Sequence, residues 1–126
     1  MRFLLSALAL AVALPAHGQV PAAQPSVRLL VQSSPLAGFR YAEAARLWPL
    51  LKPGDRLGLV REPDNAHDPY AVRIEWQGHK LGYVPRTENR ALAWAMDRGD
   101  ELRAHISRLQ EHRNPRRRIE FEVFVE

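Results

Sequence analysis

A polar loop between two strand-like segments, residues 61–72, is the feature that most constrains this chain. The segment before the loop has the composition of a buried strand: Leu57, Gly58, Leu59 and Val60. In the segment after the loop, large hydrophobic residues alternate with small or charged ones. The first set is Tyr70, Val72, Ile74 and Trp76, and the second is Ala71, Arg73 and Glu75. This period of two is typical of a strand with one buried face. Pro63 and Pro69 cannot donate to a strand ladder, so pairing should stop at both ends of the loop.

The interior of the loop allows two interpretations. Asp64, Asn65 and Asp68 have short side chains that bond nearby backbone groups and tolerate unusual turn geometry. They therefore indicate a well-made turn, and turn residues before proline are common in ordinary proteins. The alternative is that the same side chains point into a ligand pocket, but the residues alone favour the turn.

Composition restricts the class of protein. The chain has 126 residues, which suits one domain, and 46% of them are hydrophobic, which suffices for a core. Its net charge of +4 permits an anionic partner without requiring one. The absence of cysteine excludes disulfides, cysteine-based zinc sites and thiol catalysis.

No pattern of catalytic residues is evident. The histidines at positions 67, 79, 105 and 112 lack metal-ligand spacing, and no Ser/His/Asp order or carboxylate pair rises above chance. We therefore expect a protein that is not an enzyme and that has neither a cofactor nor a metal.

The N-terminus predicts export. Arg2 is a minimal basic region, residues 3–14 form an apolar run too short to span a bilayer, and Pro15 interrupts it before Ala16-His17-Gly18. The pattern predicts a signal peptide at residues 1–18, a disordered Pro/Ala linker at residues 19–26, and one domain at residues 27–126. The protein should be periplasmic or secreted, with no integral membrane segment after cleavage.

The rest of the chain predicts a mainly β protein with two helices (α+β). Residues 27–32 should form a first strand ended by Ser33-Ser34-Pro35, residues 38–41 an irregular or extended segment, and residues 42–50 a short helix. A type II turn at residues 52–55 precedes the two central strands, and a further strand spans residues 80–84. Thr87 is the expected N-cap of a second helix that ends near Gly99, and a hairpin closes the domain. The order β-α-β-β-β-α-β-β predicts a small closed or partly open barrel.

Several segments resemble the HIRAN domain family in order and spacing across residues 27–125. They are Gly38-Phe39-Arg40-Tyr41, the turn at residues 52–55, the loop at residues 59–72, Leu81-Gly82-Tyr83-Val84-Pro85-Arg86, and residues 92–99. The resemblance implies an OB-like β-barrel. It also implies a binding module for nucleic acid, similar to domains that hold the 3′ end of single-stranded DNA.

The resemblance also implies a set of binding residues: Arg40, Tyr41, Asn65, Asp68, Tyr83 and Arg86. We add His67, which stands where the eukaryotic DNA binders have an aromatic residue and which offers a second stacking surface. This chain differs from those binders in two more places, with Ala42 in place of a second aromatic residue and Tyr83 in place of a histidine.

Four of these residues also have a plain structural interpretation. Arg40 beside Tyr41 could be a surface arginine next to a core tyrosine, Asp68 a turn residue, and Arg86 a solvated residue before a helix. The basic run at residues 113–118 reads as a solvated hairpin tip. Two functions therefore remain open: a module that binds the end of a single-stranded nucleic acid or another anionic polymer, and an exported structural or protein-interaction domain of the cell envelope.

We predict that the mature protein begins at Gln19 or close to it. Signal peptidase favours small residues before the cleaved bond, and Ala16 and Gly18 provide them. Mass spectrometry of the native protein should show this terminus. Intact Met1 in the cytoplasmic fraction would contradict the prediction.

Overall fold

The computed structural model describes residue 9, residues 11–13 and residues 29–125. The predicted linker and most of the predicted signal peptide lie outside these residues. Within the described part of the chain, no helix has both the length and the apolar character needed to cross a membrane.

Six antiparallel strands form one sheet. They are β1 Leu29–Pro35, β2 Arg56–Glu62, β3 Ala71–Trp76, β4 His79–Tyr83, β5 Leu102–Leu109 and β6 Ile119–Val125. Their order in the sheet is β1-β6-β5-β2-β3-β4. Two short helices are present, α1 Ala44–Leu47 and α2 Arg90–Asp97. Short 3₁₀ turns occupy Phe39–Tyr41, Trp48–Leu50 and Pro115–Arg117. The predicted mainly β fold with two helices is confirmed.

The sheet curls into a partly open barrel. Strands β2 and β5 pair at only two positions, Arg56 with His105 and Leu57 with Ala104, so the sheet divides there into two halves. The edge strands β1 and β4 are not paired with each other along their length. The chain just after β1 nevertheless reaches β4, where Ala37 and Tyr83 form an isolated antiparallel bridge. Each of these two residues donates its backbone N–H to the carbonyl of the other, with N–O distances of 2.9 Å.

The predicted alternation places the core inside this curled sheet. Val72, Ile74 and Trp76 of β3 are buried, as are alternate residues of the final hairpin: Ala104, Ile106, Ile119, Phe121 and Val123. Leu92 and Ala93 of α2 pack against the same cluster. The period-two pattern was therefore sufficient to assign the inner faces of these strands.

Some element boundaries were predicted wrongly. Strand β1 continues through the Ser33-Ser34-Pro35 segment that was expected to end it, because Pro35 still pairs with Glu120 of β6. The segment after Gly38 is a 3₁₀ turn, not an irregular or extended one. The predicted N-cap Thr87 is also wrong: residues 85–88 form a separate turn, with Glu88 N–H donating to the Pro85 carbonyl, and α2 begins at Arg90.

Two predicted glycine positions are confirmed. Gly54 has φ of 89° in the turn before β2, and Gly99 has φ of 91° just after α2. Gly99 N–H donates to the Met96 carbonyl and Asp100 N–H to the Ala95 carbonyl, which is the Schellman pattern of a helix end.

We predict that Ile74→Ala and Phe121→Ala each lower the free energy of unfolding by about 2–5 kcal/mol, as large-to-small changes in a packed core do. Both side chains are fully buried, so each change removes apolar contacts and leaves a cavity. Tyr41→Ala is a suitable control because the Tyr41 side chain is 89% exposed. Denaturant midpoints of the two core variants equal to that of the control would contradict this assignment of the core.

Candidate functional site

Five of the seven predicted binding residues line one cleft, which we call the main cleft. Its volume is about 380 Å³ and it lies where the loop after β2 meets β4. The five are Asn65, His67, Asp68, Tyr83 and Arg86. Lys80, which the sequence did not suggest as a site residue, lines it as well.

The loop that forms one wall of the main cleft is held by its own side chains. Asn65 Oδ1 accepts hydrogen bonds from the backbone N–H groups of His67 (2.9 Å) and Asp68 (3.1 Å). Asp68 Oδ1 accepts one from Tyr70 N–H at 2.9 Å. These bonds are typical of Asx turns. The turn interpretation of Asn65 and Asp68 therefore holds together with their position in the cleft.

A buried asparagine supports Asp68 from behind. Asn89 is 2% exposed, and its Nδ2 donates to Asp68 Oδ2 at 2.6 Å. Asn89 stands at the N-cap of α2 but makes no capping bond with its side chain. Because each carboxylate oxygen has two lone pairs, both oxygens of Asp68 retain capacity for a donor from a ligand.

A second carboxylate, Glu62, joins the two walls of the main cleft. Its Oε1 accepts hydrogen bonds from Tyr83 Oη and from Asn65 Nδ2, both at 2.9 Å. Its Oε2 accepts one from Arg73 Nη1 at 2.5 Å. Burial alone would raise the pKa of Glu62, but the hydrogen bonds from Asn65, Tyr83 and Arg73 outweigh it and hold the pKa below its ordinary value. At neutral pH, Glu62 is therefore ionised and connects the loop to β4 through its hydrogen bonds with Asn65 and Tyr83.

The ring of Tyr83 is already partly engaged. Lys80 Nζ lies over it, 4.5 Å from the ring centroid, in a cation–π contact. One face of the ring is thus covered, and its hydroxyl donates to Glu62. The same contact holds a positive charge at the main cleft.

Arg40 and Tyr41 line a neighbouring cleft of about 300 Å³, which we call the side cleft. Both belong to the 3₁₀ turn Phe39–Tyr41, and Tyr41 is 89% exposed. Phe39 anchors this turn, because its buried ring makes an edge contact with Trp48 and lies under the Arg118 guanidinium. Gly38 lines both the main cleft and the side cleft, so the two groups of predicted residues lie on adjoining surfaces.

One residue of the hairpin connection also borders these surfaces. Arg116 lines the side cleft together with Asn114 and Pro115. It also lines a third cleft of about 370 Å³ that includes Ala37 and Arg86. The basic run is therefore divided: Arg116 faces the clefts, whereas Arg118 lies on Phe39 and donates to the His112 carbonyl.

A larger cleft, about 640 Å³, lies elsewhere, between β2, β5 and the end of α2. It contains none of the predicted site residues, and its charged lining is mixed: Arg56, Asp100, Glu101 and Arg103. Among the described residues, no group of three or more His, Asp or Glu side chains could hold a metal ion.

The fold defines a class, a small OB-like barrel that is mainly β with two helices. The HIRAN domain model matches residues 29–126, and the chain belongs to this family. HIRAN domains are known as nucleic-acid-binding modules.

Two solved structures are similar to this chain. A protein from Lactobacillus plantarum has 25% identity and a TM-score of 0.68, over 79% of this chain and 95% of that one. The HIRAN domain of human HLTF has 19% identity and a TM-score of 0.60, over 78% of each chain, which shows the shared fold. No curated protein matches the chain in sequence.

We predict that Glu62→Gln destabilises the domain at neutral pH and that the difference from the wild type shrinks in acid. A carboxyl whose pKa is lowered by folding stabilises the native state above its unfolded pKa, and this contribution is lost as pH falls through the folded pKa. Glutamine keeps an acceptor for Tyr83 but cannot form the ion pair with Arg73.

Urea unfolding of both proteins between about pH 7 and about pH 3 measures this effect. Glu120→Gln serves as a control on β6, outside the network. A gap between wild type and Glu62→Gln that stays constant across this range would show that the Glu62 charge does not stabilise the site.

Proposed function

We propose that this domain is a non-enzymatic module that binds single-stranded nucleic acid and holds a strand end in the main cleft. The observation that carries the proposal is the convergence of two separate sequence segments. The loop containing Asn65, His67 and Asp68 and the 3₁₀ turn containing Arg40 and Tyr41 line clefts that share Gly38.

The charges around the clefts fit a polyanion. Four basic side chains border them: Arg40, Lys80, Arg86 and Arg116. Basic side chains and backbone N–H groups make the phosphate contacts that fix the position of a nucleic acid without reading its sequence. Tyr41 offers an exposed ring for a base, and His67 is exposed on the loop. A stacked base contributes about 1–3 kcal/mol.

Within the main cleft, the position next to Asp68 fits a hydroxyl better than a phosphate. A carboxylate repels a phosphate, most strongly where water is partly excluded. The same carboxylate accepts a hydrogen bond from a hydroxyl, and bonds to charged groups contribute about 1.5–3 kcal/mol. Asp68 would therefore accept the terminal hydroxyl while the basic side chains at the border hold the phosphates that precede it.

The direct test is a titration of a fluorescent single-stranded oligonucleotide with the domain at several salt concentrations. Arg40→Ala should weaken binding and reduce the slope of log affinity against log salt by about 0.7 for each phosphate that the side chain neutralises in the wild type. Arg98→Ala is the matched control, because it removes one exposed arginine that pairs with Asp100 and that lines neither the main cleft nor the side cleft. No binding by the wild type would refute the proposed function, and equal slopes for Arg40→Ala and wild type would show that Arg40 does not bind phosphate.

The role of Asp68 predicts a preference between strand ends. The wild type should bind an oligonucleotide with a free 3′-hydroxyl more tightly than the same strand with a 3′-phosphate. Asp68→Asn keeps an acceptor for Tyr70 N–H and removes the charge, and it should lose much of this preference. It also replaces the oxygen that accepts from Asn89 Nδ2 with an NH2 group, so circular dichroism and a urea midpoint must first show that the variant is folded. Competition titrations between the two oligonucleotides measure this preference. Equal affinity of the wild type for the two ends would show that Asp68 serves only as a turn residue.

A second candidate is a protein-interaction domain of the cell envelope. It is favoured by three consecutive exposed apolar residues, Leu29, Leu30 and Val31, on the edge strand β1. Such an edge can pair with a strand of another protein. A photoreactive group at position 31 should then cross-link one defined envelope protein, and Val31→Lys should abolish the complex. Oligonucleotide binding without any such cross-link would exclude this candidate.

A further inference from the structure

The segment that carries Arg40 and Tyr41 is an arch fixed to β4 at both ends. We use the term arch for residues 37–43. At its first end, Ala37 exchanges two backbone hydrogen bonds with Tyr83. At its second end, Glu43 N–H donates to the Lys80 carbonyl at 3.2 Å. The Glu43 carboxylate adds a contact to His79 Nδ1 at 3.3 Å. These attachments, together with the buried ring of Phe39 between them, set the positions of Arg40 and Tyr41 relative to β4.

Gly82 makes the first attachment possible. A Cβ atom at this buried position would lie 2.2 Å from the Ala37 carbonyl oxygen and 3.1 Å from Leu36 Cγ. The first distance is far inside van der Waals contact, and the atom concerned is backbone, which cannot rotate away as a side chain can. The φ of Gly82 is not in the left-handed region, so the need for glycine here is one of space.

Another strand glycine gives a direct comparison. Gly58 of β2 also has an ordinary φ, and a Cβ there would lie 3.7 Å from Glu75 Cβ, a normal contact. Alanine at position 58 therefore fits, whereas alanine at position 82 requires the Ala37 carbonyl to move. The two substitutions add the same methyl group to two strands of one sheet.

The attachment at Gly82 also determines the relation between the two clefts. Tyr83 bonds Ala37 through its backbone and Glu62 through its hydroxyl, so it links the arch to the loop wall of the main cleft. Gly38, the next residue of the arch, passes beside the Tyr83 ring: a Cβ on Gly38 would lie 4.0 Å from Tyr83 Cδ2. Moving Ala37 would displace Gly38, which lines both clefts.

We propose that Gly82 is a positioning residue for ligand binding: the space it leaves lets Ala37 dock on β4 and so holds Arg40 and Tyr41 beside the main cleft. This inference rests on the proposed function. The apparent dissociation constant is the intrinsic one divided by the fraction of molecules in the binding-competent state. If displacement of Ala37 leaves the arch docked in about a tenth of the molecules, affinity falls about tenfold.

The first test needs no ligand. Amide hydrogen exchange should show faster exchange at Ala37 and Tyr83 in Gly82→Ala than in wild type, because both N–H groups donate in the bridge. The paired strands β5 and β6 should keep their protection. Gly58→Ala should match the wild type at all these amides. Unchanged protection of Ala37 and Tyr83 in Gly82→Ala would overturn the proposal.

The second test measures binding. Gly82→Ala should bind a single-stranded oligonucleotide about tenfold more weakly than wild type, whereas Gly58→Ala binds as wild type does. Ile106→Val is a further control, since it loosens the core on β5 and leaves the arch untouched. If Gly82→Ala exposes the bridge amides and still binds like wild type, Gly82 has only a structural role.

A third measurement uses the wild type alone, so it stands even if Gly82→Ala does not fold. A ligand that requires the docked arch must suppress its opening. Saturating oligonucleotide should therefore slow exchange at Ala37 and Tyr83, and unchanged exchange would overturn the coupling. If the wild type binds no oligonucleotide at all, the proposed function fails, while the exchange comparison of the glycine variants still decides whether Gly82 holds the arch.

Discussion

The contact between Ala37 and Tyr83 is the constraint on which the remaining structure depends, since it joins the chain after β1 to the opposite edge strand. Two backbone hydrogen bonds contribute only about 1–3 kcal/mol in total. The residues beside the bridge contribute more: Leu36 and Val84 are both 1% exposed, and burying such a side chain contributes about 1.5–3 kcal/mol. Packing of these two neighbours therefore holds the bridge, and the hydrogen bonds fix its register. Because Gly82 has no side chain, Leu36 and Val84 can pack while the two backbone hydrogen bonds form.

Acidic and basic side chains lie close together at the main cleft, and the acidic ones would repel a polyanion if they were not paired or directed at a hydroxyl. Glu62 and Asp68 are acidic residues next to a site that we propose for a polyanion. Glu62 forms an ion pair with Arg73, which also pairs with Glu75, and it accepts hydrogen bonds from Tyr83 and Asn65, so its charge serves the structure of the site. Asp68 is held by Asn89 with lone pairs to spare. In the function that we propose, Asp68 accepts the terminal hydroxyl, whereas the basic side chains that line the clefts hold the phosphates.

Local patterns predicted the strands well, because burial on one face of a strand gives a period of two in the sequence itself. The turn at Gly54 and the helix end at Gly99 were predictable for a similar reason, since positive φ selects glycine. The start of α2 was not. Thr87 and Asn89 are both residue types that suit an N-cap. The helix starts after Asn89 because residues 85–88 form a turn that begins at Pro85 and because Asn89 is held by Asp68, which is 21 residues away in sequence.

Glu62 and Tyr83 are also 21 residues apart in sequence, and no local sequence pattern predicts a hydrogen bond between residues so far apart. The family resemblance supplied residues on both cleft walls, but it did not indicate Lys80, Asn89 or Arg116. These three residues reach the site only through the tertiary fold. Lys80 lies over the Tyr83 ring, Asn89 donates to the Asp68 carboxylate, and Arg116 lines both the side cleft and the third cleft.

These residues change which contacts the site can make with a ligand. Under the proposed function, with Lys80 over Tyr83 and Ala42 next to Tyr41, base stacking would fall to Tyr41 and His67, and the basic side chains around the clefts would carry a larger share of the affinity. Binding by this domain should accordingly depend more on salt than on base identity, because phosphate contacts are screened by ions and are common to all bases.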